Sequence, residues 1–281
     1  MKSLVSSWVT AVALGAASAA CIGPTTHARN PEQSTIRYQL AADDFRVQRN
    51  EAALEELRKA LELDPENADA YNLLGLIALS QGAEYVRQAE TAGCLRGGDA
   101  ESLHRDASAK FKQAEESLRK ATTLRPNFPD AWNNLAVAAL HLEGYDEAIA
   151  AAENALKDAT YPSPELARAN LGWAYFHKKN LNAAWKALHE SIARAPGFCV
   201  GRYRLAKVYA ERGQYEEAGE EIDAVTSNAA CPIQEAFLLG GLVHQHRQDV
   251  ARARELFGRC VAMAPRACMA AECRKYAEMI Q

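Results

Sequence analysis

The stretch Glu165–Phe198 reads ELARANLGWAYFHKKNLNAAWKALHESIARAPGF, and it decides the fold. Its small and large apolar residues stand at the positions that a pair of closely packed helices needs. Gly172, Ala184 and Ser191 are small enough to let the helices approach, Leu171, Tyr175 and Leu188 fill the space around them, and Pro196 stops the second helix. The same anchors return 34 residues later in Cys199–Pro232 as Leu205-Ala206, Tyr209, Ala218 and Ile222. Upstream, Pro129–Pro162 carries Trp132, Leu135-Ala136, Tyr145, Ala148 and Ala155. Ser34–Asn67 is weak in its first helix and sound in its second, with Ala53, Leu57, Ala60 and Pro65. Ile233–Ala267 has Leu239-Gly240, Ala253, Phe257 and Pro265, with one extra residue in its turn.

One further copy, 68–128, is interrupted. Tyr71, Leu74-Gly75 and Ala78 mark its first helix, and Ala114, Leu118, Ala121 and Pro126 its second. The 27 extra residues Gly82–Ser108 hold Gly82, Gly93, Gly97 and Gly98, which predicts a helical extension followed by a flexible loop. A 34-residue period with these anchors is that of the tetratricopeptide repeat. The expected architecture is therefore all-α: a right-handed superhelical solenoid of six repeats (34–67, 68–128, 129–162, 165–198, 199–232 and 233–267). A cap helix, 268–281, solvates the exposed end. The repeats use up the chain and leave no room for a catalytic domain. No G-x-S-x-G, H-E-x-x-H or phosphate-loop pattern occurs, so neither enzymatic activity nor a cofactor is expected. The carboxylates in Tyr145-Asp146-Glu147 and Tyr215-Glu216-Glu217 sit at turns, where a helix N-terminus favours negative charge.

The 281 residues are 48% hydrophobic and 24% charged, as in ordinary soluble globular proteins. A net charge of −4 argues against nucleic acid as a partner, since nothing would neutralise a row of phosphates. Lys2 and the small, apolar run Leu4–Ala20 read as an export signal (1–20), too short and too weak to span a bilayer permanently. Cys21 after Ser18-Ala19-Ala20 fits a bacterial lipobox with Ser18 in place of the usual leucine, which makes Cys21 the expected lipidation site. Residues 21–33, polar with two prolines, read as the lipidated Cys and an extended tether.

The fourth repeat begins after a two-residue slip, at Lys157-Asp158-Ala159-Thr160-Tyr161-Pro162-Ser163-Pro164-Glu165, and runs on through Asn170-Leu171-Gly172-Trp173-Ala174-Tyr175. This joint resembles that of the type IV pilus pilotin lipoproteins, in which an Asp-x-x-Tyr-Pro turn precedes an Asn-Leu-Gly helix. The resemblance covers Ser34–Pro265 at repeat level and is distinctive over Asp158–Tyr175. It implies an outer-membrane lipoprotein on the periplasmic face, whose partners are secretin subunits that it inserts and assembles into the pilus pore. No small-molecule substrate is implied. The 27-residue insert and the cysteine content depart from that family. The competing reading is an envelope adaptor that recruits a protease or a peptidoglycan enzyme.

The repeat register places Leu76, Leu79, Val137, Leu140, Trp173, Phe176, Tyr203 and Phe237 on the concave face, an apolar stripe suited to a protein partner. Asn133, Asn134 and Asn170 sit beside it, to bond either a bound peptide backbone or a neighbouring helix. His141 and His177 share one register position, but no further ligands at matched spacing suggest a metal, and His244-x-His246 cannot put both rings on one helix face. In an oxidising compartment, hairpin geometry brings Cys199 to Cys231, and Cys260 faces Cys273 on the cap helix. Both are disulfide candidates. Cys268–Cys273 is the weaker pairing, and Cys94 is then left in the insert, free or intermolecular.

Overall fold

The structure is a computed structural model that describes residues 29–92, 94 and 99–280. The export signal, Cys21 and most of the tether lie outside the described residues. Among the described residues there are thirteen α-helices and no strand. Six antiparallel pairs stack in chain order: α1 (Pro31–Arg46) with α2 (Asn50–Leu63), α3 (Ala68–Ala92) with α4 (Ala100–Leu124), α5 (Pro129–His141) with α6 (Tyr145–Ala155), α7 (Pro164–His177) with α8 (Leu181–Arg194), α9 (Cys199–Glu211) with α10 (Tyr215–Thr226), and α11 (Gln234–His246) with α12 (Val250–Met263). The single helix α13 (Cys268–Met279) closes the end against α12.

The pairs close around small residues. A Cβ on Gly172 would sit 2.6 Å from Leu188 Cγ, and one on Gly75 2.5 Å from Leu118 Cγ, so only glycine admits the second-helix leucine at these crossings. Leu57, Leu118, Leu188, Ile222 and Phe257 occupy one register position in five second helices, and all are fully buried. Each such side chain contributes roughly 1.5–3 kcal/mol through burial. The small polar residues are also satisfied: Ser191 Oγ donates to Glu165 O at 2.7 Å, and Ser34 Oγ to Ala60 O at 2.7 Å. Between the two helices of a pair the chain turns through one residue with positive φ: Gln48, Glu143, Lys179, Gly213 and Gln248 in repeats one, three, four, five and six. Only Gly213 is the residue type that this conformation favours.

Two expectations are corrected. The first helix starts at Pro31, inside the expected tether, because Asn30 Oδ1 accepts from Gln33 N at 3.1 Å and Pro31 suits the first helical position. The helical extension expected in the insert is present, with α3 running unbroken to Ala92, but the expected loop is shorter than the insert allowed: residues 93 and 95–98 lie outside the described residues, and helix resumes at Ala100, where Asp99 Oδ1 accepts from Ser102 N at 2.8 Å. Gly82 does not break α3. It is buried where a Cβ would lie 2.6 Å from Phe111 Cε1, so it serves close packing of the hairpin.

Candidate functional site

The first helices of repeats three to five, α5, α7 and α9, lay their concave side chains next to one another. Trp173 and Phe176, one turn apart on α7, have ring centroids 4.9 Å apart in parallel planes, and His177 sets its edge against Trp173 at 4.7 Å. From α9, the Arg204 guanidinium lies 5.3 Å from the Trp173 centroid, and Lys207 Nζ lies 5.6 Å from Trp173 and 5.9 Å from both Phe176 and Tyr203. The structure thus gathers Trp173, Phe176 and Tyr203 into one group and adds two cations that the apolar stripe did not contain.

Among the described residues neither Arg204 nor Lys207 has a carboxylate within 4.0 Å. Arg204 Nη1 donates, among the described residues, to two neutral oxygens, Ala169 O at 3.1 Å and Asn170 Oδ1 at 3.0 Å. Desolvation pulls its pKa down to about 10. Desolvation also lowers His177, with Lys207 and Arg204 adding to it, and lowers His141, with Arg204 adding. Burial raises the Tyr203 phenol, and the nearby Glu235 raises it further. The centre of the concave face is therefore a partly desolvated region of positive potential.

The remaining candidates divide. Phe176 is only 8% exposed and Phe237 only 4%, so both fill cores rather than lie on the open surface. Phe237 packs with Leu256, Phe257 and Cys260 under the Arg259 guanidinium, 4.6 Å from its centroid. Leu76, Leu79 and Leu140 are half-buried against repeat cores, and Val137 is half-buried. The asparagines bond helix to helix: Asn170 Nδ2 donates to Asn133 Oδ1 at 3.0 Å, and Asn134 Nδ2 to Asn72 Oδ1 at 3.0 Å. His141 lies flat on Phe111 at 4.1 Å, His177 on Tyr145 at 4.8 Å and His246 on Tyr215 at 4.2 Å, each an aromatic from the preceding second helix. His244 is buried, with Nε2 3.1 Å from Asp223 Oδ2. Among the described residues no cluster of three or more His, Cys, Asp or Glu is placed to hold a metal ion.

Two disulfides join Cys199 to Cys231 (Cα separation 5.6 Å) and Cys260 to Cys273 (6.2 Å). Cys94 is neither free nor intermolecular: it is bonded to Cys268, 174 residues away, with Cα atoms 5.2 Å apart. The rest of the chain brings the hairpin tip to the cap, a proximity no local spacing encodes. At the joint before α7, Asp158 Oδ1 accepts from Thr160 N at 2.8 Å and Thr160 Oγ1 at 2.6 Å. The turn drives Tyr161, 3% exposed, into a core of Ala155 and Ala167.

With six such pairs and a cap, the chain is a tetratricopeptide-repeat protein. The family model for the TPR repeat matches residues 45–82, and that for the tetratricopeptide repeat matches 100–161 and 142–197. Its fold is that of PilW, described as a widely conserved type IV pilus biogenesis factor: TM-score 0.68, 23% identity, covering 86% of this chain and 99% of that one. PilF of Pseudomonas aeruginosa gives 0.66 at 20% identity, covering 87% and 97%. MamA from Desulfovibrio magneticus RS-1 gives 0.52 at 17%, covering 70% and 94%. No curated protein sequence matches the chain.

Proposed function

We propose that the protein is a type IV pilus biogenesis factor of the pilotin kind: an outer-membrane lipoprotein, anchored through Cys21, that binds secretin subunits and promotes their assembly. The observation that carries this reading is the extent of the fold likeness, which takes in 99% of PilW and 97% of PilF at higher TM-scores than MamA reaches. The Asp158–Tyr161 turn supports it, because the distinctive segment of the sequence is also a built joint with a buried ring. Ile22 after the lipidated Cys is compatible with outer-membrane retention, and the several chains of a bacterial lipoprotein hold stably where one would not.

Affinity capture from envelope extracts tests the partner. Secretin subunits are expected in the eluate of the wild-type protein and reduced for Trp173→Ala, since a central aromatic is worth roughly 2 kcal/mol or more at an interface. Cys21→Ser is expected to release the protein from membrane fractions. An eluate without secretin, together with an unchanged membrane fraction and mature mass for Cys21→Ser, overturns the proposal.

A further inference from the structure

Helix α1 is apolar on two sides. Inward, Tyr38, Ala42 and Phe45 pack on the core of their own repeat, where Ala41 is fully buried. Outward, Ile36, Leu40 and Val47 stand 52%, 46% and 60% exposed. Spacings of four and seven residues put all three on one face of α1 and of the turn that follows it. The other large apolar side chains exposed among the described residues, Val200, Val250, Met263 and Met279, are spread over α9, α12 and α13. Such single residues need no explanation, whereas a continuous stripe does.

The repeat register identifies this face. Leu40 takes the place of Leu135 and Leu205 in repeats three and five, which are buried against the preceding pair, Leu135 in one cluster with Leu118 and Leu205 in one with Leu188. Ile36 takes the place of Ala70, Ala131, Ala167 and Gly201, all of them buried. At Gly201 even a Cβ would come within 2.8 Å of Ile192 Cδ1 on the preceding pair. The outer face of α1 is thus the stacking face of the array, and the bulk of Ile36 bars the close helix approach that later repeats make. A second copy cannot stack there at repeat spacing, and three side chains fall far short of the roughly 20–30 residues that each partner puts into a stable protein interface. A terminal repeat ordinarily turns a polar face outward, so this apolar one calls for a cover of another kind.

A soft apolar boundary makes no such steric demand, and one lies within reach. From Cys21 to Pro31 the chain takes ten residue steps, at most about 36 Å when extended. Acyl chains on Cys21 therefore hold α1 next to a bilayer. The charges around the stripe are settled within the repeat: Arg37 pairs with Glu56 at 2.9 Å, Arg46 with Asp43 at 2.6 Å and Arg49 with Asp44 at 2.6 Å. Glu32, one turn before Ile36, adds a negative charge on the same side. That rim suits zwitterionic headgroups rather than the anionic lipid that unpaired cations recruit.

We propose that the face of Ile36, Leu40 and Val47 rests on the phospholipid surface in which Cys21 is anchored, its side chains seated among zwitterionic headgroups, so that the array stands on the membrane by its first repeat. The inference rests on the Cys21 anchor of the reading above and goes beyond it in fixing which side of the array meets the membrane. The contact needs little affinity of its own, because the acyl chains already supply the proximity.

The test uses the full-length acylated protein in vesicles of phosphatidylethanolamine and phosphatidylcholine, with p-benzoylphenylalanine replacing Leu40 or, as the control, the exposed Val250 on α12. Irradiation is expected to give a phospholipid adduct at the Leu40 position and none at the Val250 position, read by mass spectrometry of the labelled peptide. Ile36→Glu together with Val47→Glu is expected to abolish the adduct, with the melting temperature and the membrane-bound fraction unchanged. Adding phosphatidylglycerol is expected to leave the yield as it is. No lipid adduct at the Leu40 position, equal adducts at the two positions, an undiminished adduct in the double variant, or an adduct to a second copy overturns the inference. A yield that rises with phosphatidylglycerol overturns the zwitterionic assignment. An adduct to a secretin subunit in whole cells sinks this inference and leaves the pilus reading standing, whereas a phospholipid adduct with no secretin captured does the reverse. A mature mass that shows no acyl group overturns both.

Discussion

Replacing Gly172 by alanine puts the packing logic of the repeat under direct test. The new methyl would lie 2.6 Å from Leu188 Cγ and 3.1 Å from Ala184 O, against an ordinary carbon contact near 3.5–4.0 Å. Neither obstacle yields easily. Leu188 is fully buried, and its Cγ is a branch point rather than a free end; Ala184 O belongs to the backbone of α8. The two helices must therefore separate by a large fraction of an ångström, which places the cost in the upper part of the overpacking range, about 2–3 kcal/mol. Alanine returns about 1 kcal/mol through its helix propensity. The expected net loss is about 1–2 kcal/mol, or about 2–8 °C in melting temperature for a chain of this size. Gly258 supplies the opposite sign: it is exposed on α12, and a Cβ there meets nothing within 4 Å. Gly258→Ala should stabilise by about 0.5–1 kcal/mol. Urea unfolding followed by circular dichroism measures both, and hydrogen exchange should localise the loosening of Gly172→Ala to α7 and α8. A Gly172→Ala protein as stable as the wild type, or exchange changes spread evenly along the array, would refute the reasoning.

Further outcomes are as definite. Asn170→Ala removes the bond to Asn133 and one of the two acceptors of Arg204, and should cost about 2 kcal/mol in urea unfolding; a change below about 0.5 kcal/mol would show that these bonds carry little. The paired change Cys199→Ser and Cys231→Ser should lower stability by about 2–4 kcal/mol, and non-reducing peptide mapping of the wild type should recover Cys94 linked to Cys268. Partial desolvation and neighbouring cations hold His141 and His177 below the ordinary histidine pKa, so the folded state binds fewer protons than the unfolded chain near that value. Stability is then fully present above about pH 6.5 and is lost as the pH falls through the lowered folded values. Melting temperatures measured from pH 7 to pH 5 should fall, and less steeply in His141→Gln; identical slopes would remove histidine as the cause.

The array was legible because its signal is local. Anchors such as Gly172, Ala184 and Leu188 fix a helix pair within one period, and the pair needs only its neighbours to be stable. What escaped the sequence was non-local or ambiguous. Gly82 looks like a helix breaker until Phe111 of the partner helix is seen packed against it. The Cys94–Cys268 bond joins residues 174 positions apart, which hairpin reasoning cannot reach. Phe176 and Phe237 sit at groove register, yet packing within and between repeats buries them. Lys207 and Arg204 add charge that an apolar stripe does not encode, although both lie on α9, the same helix as Tyr203. The aromatic-on-histidine stacks leave a readable trace after the fact, with His141, His177 and His246 each following its aromatic partner by about one repeat.

The positive-φ turns bear on how far this molecule can be improved. Four of them, at Gln48, Glu143, Lys179 and Gln248, hold side-chain-bearing residues where the left-handed conformation costs roughly 1 kcal/mol relative to glycine. They lie in separate repeats, so glycine replacements should add nearly independently, offset in part by the greater freedom glycine gives the unfolded chain. The array thus holds a reserve of unused stability at four turns between its helices. A hardened scaffold made by drawing on it would tolerate changes in the concave residues that the natural chain, nearer its threshold, would not survive.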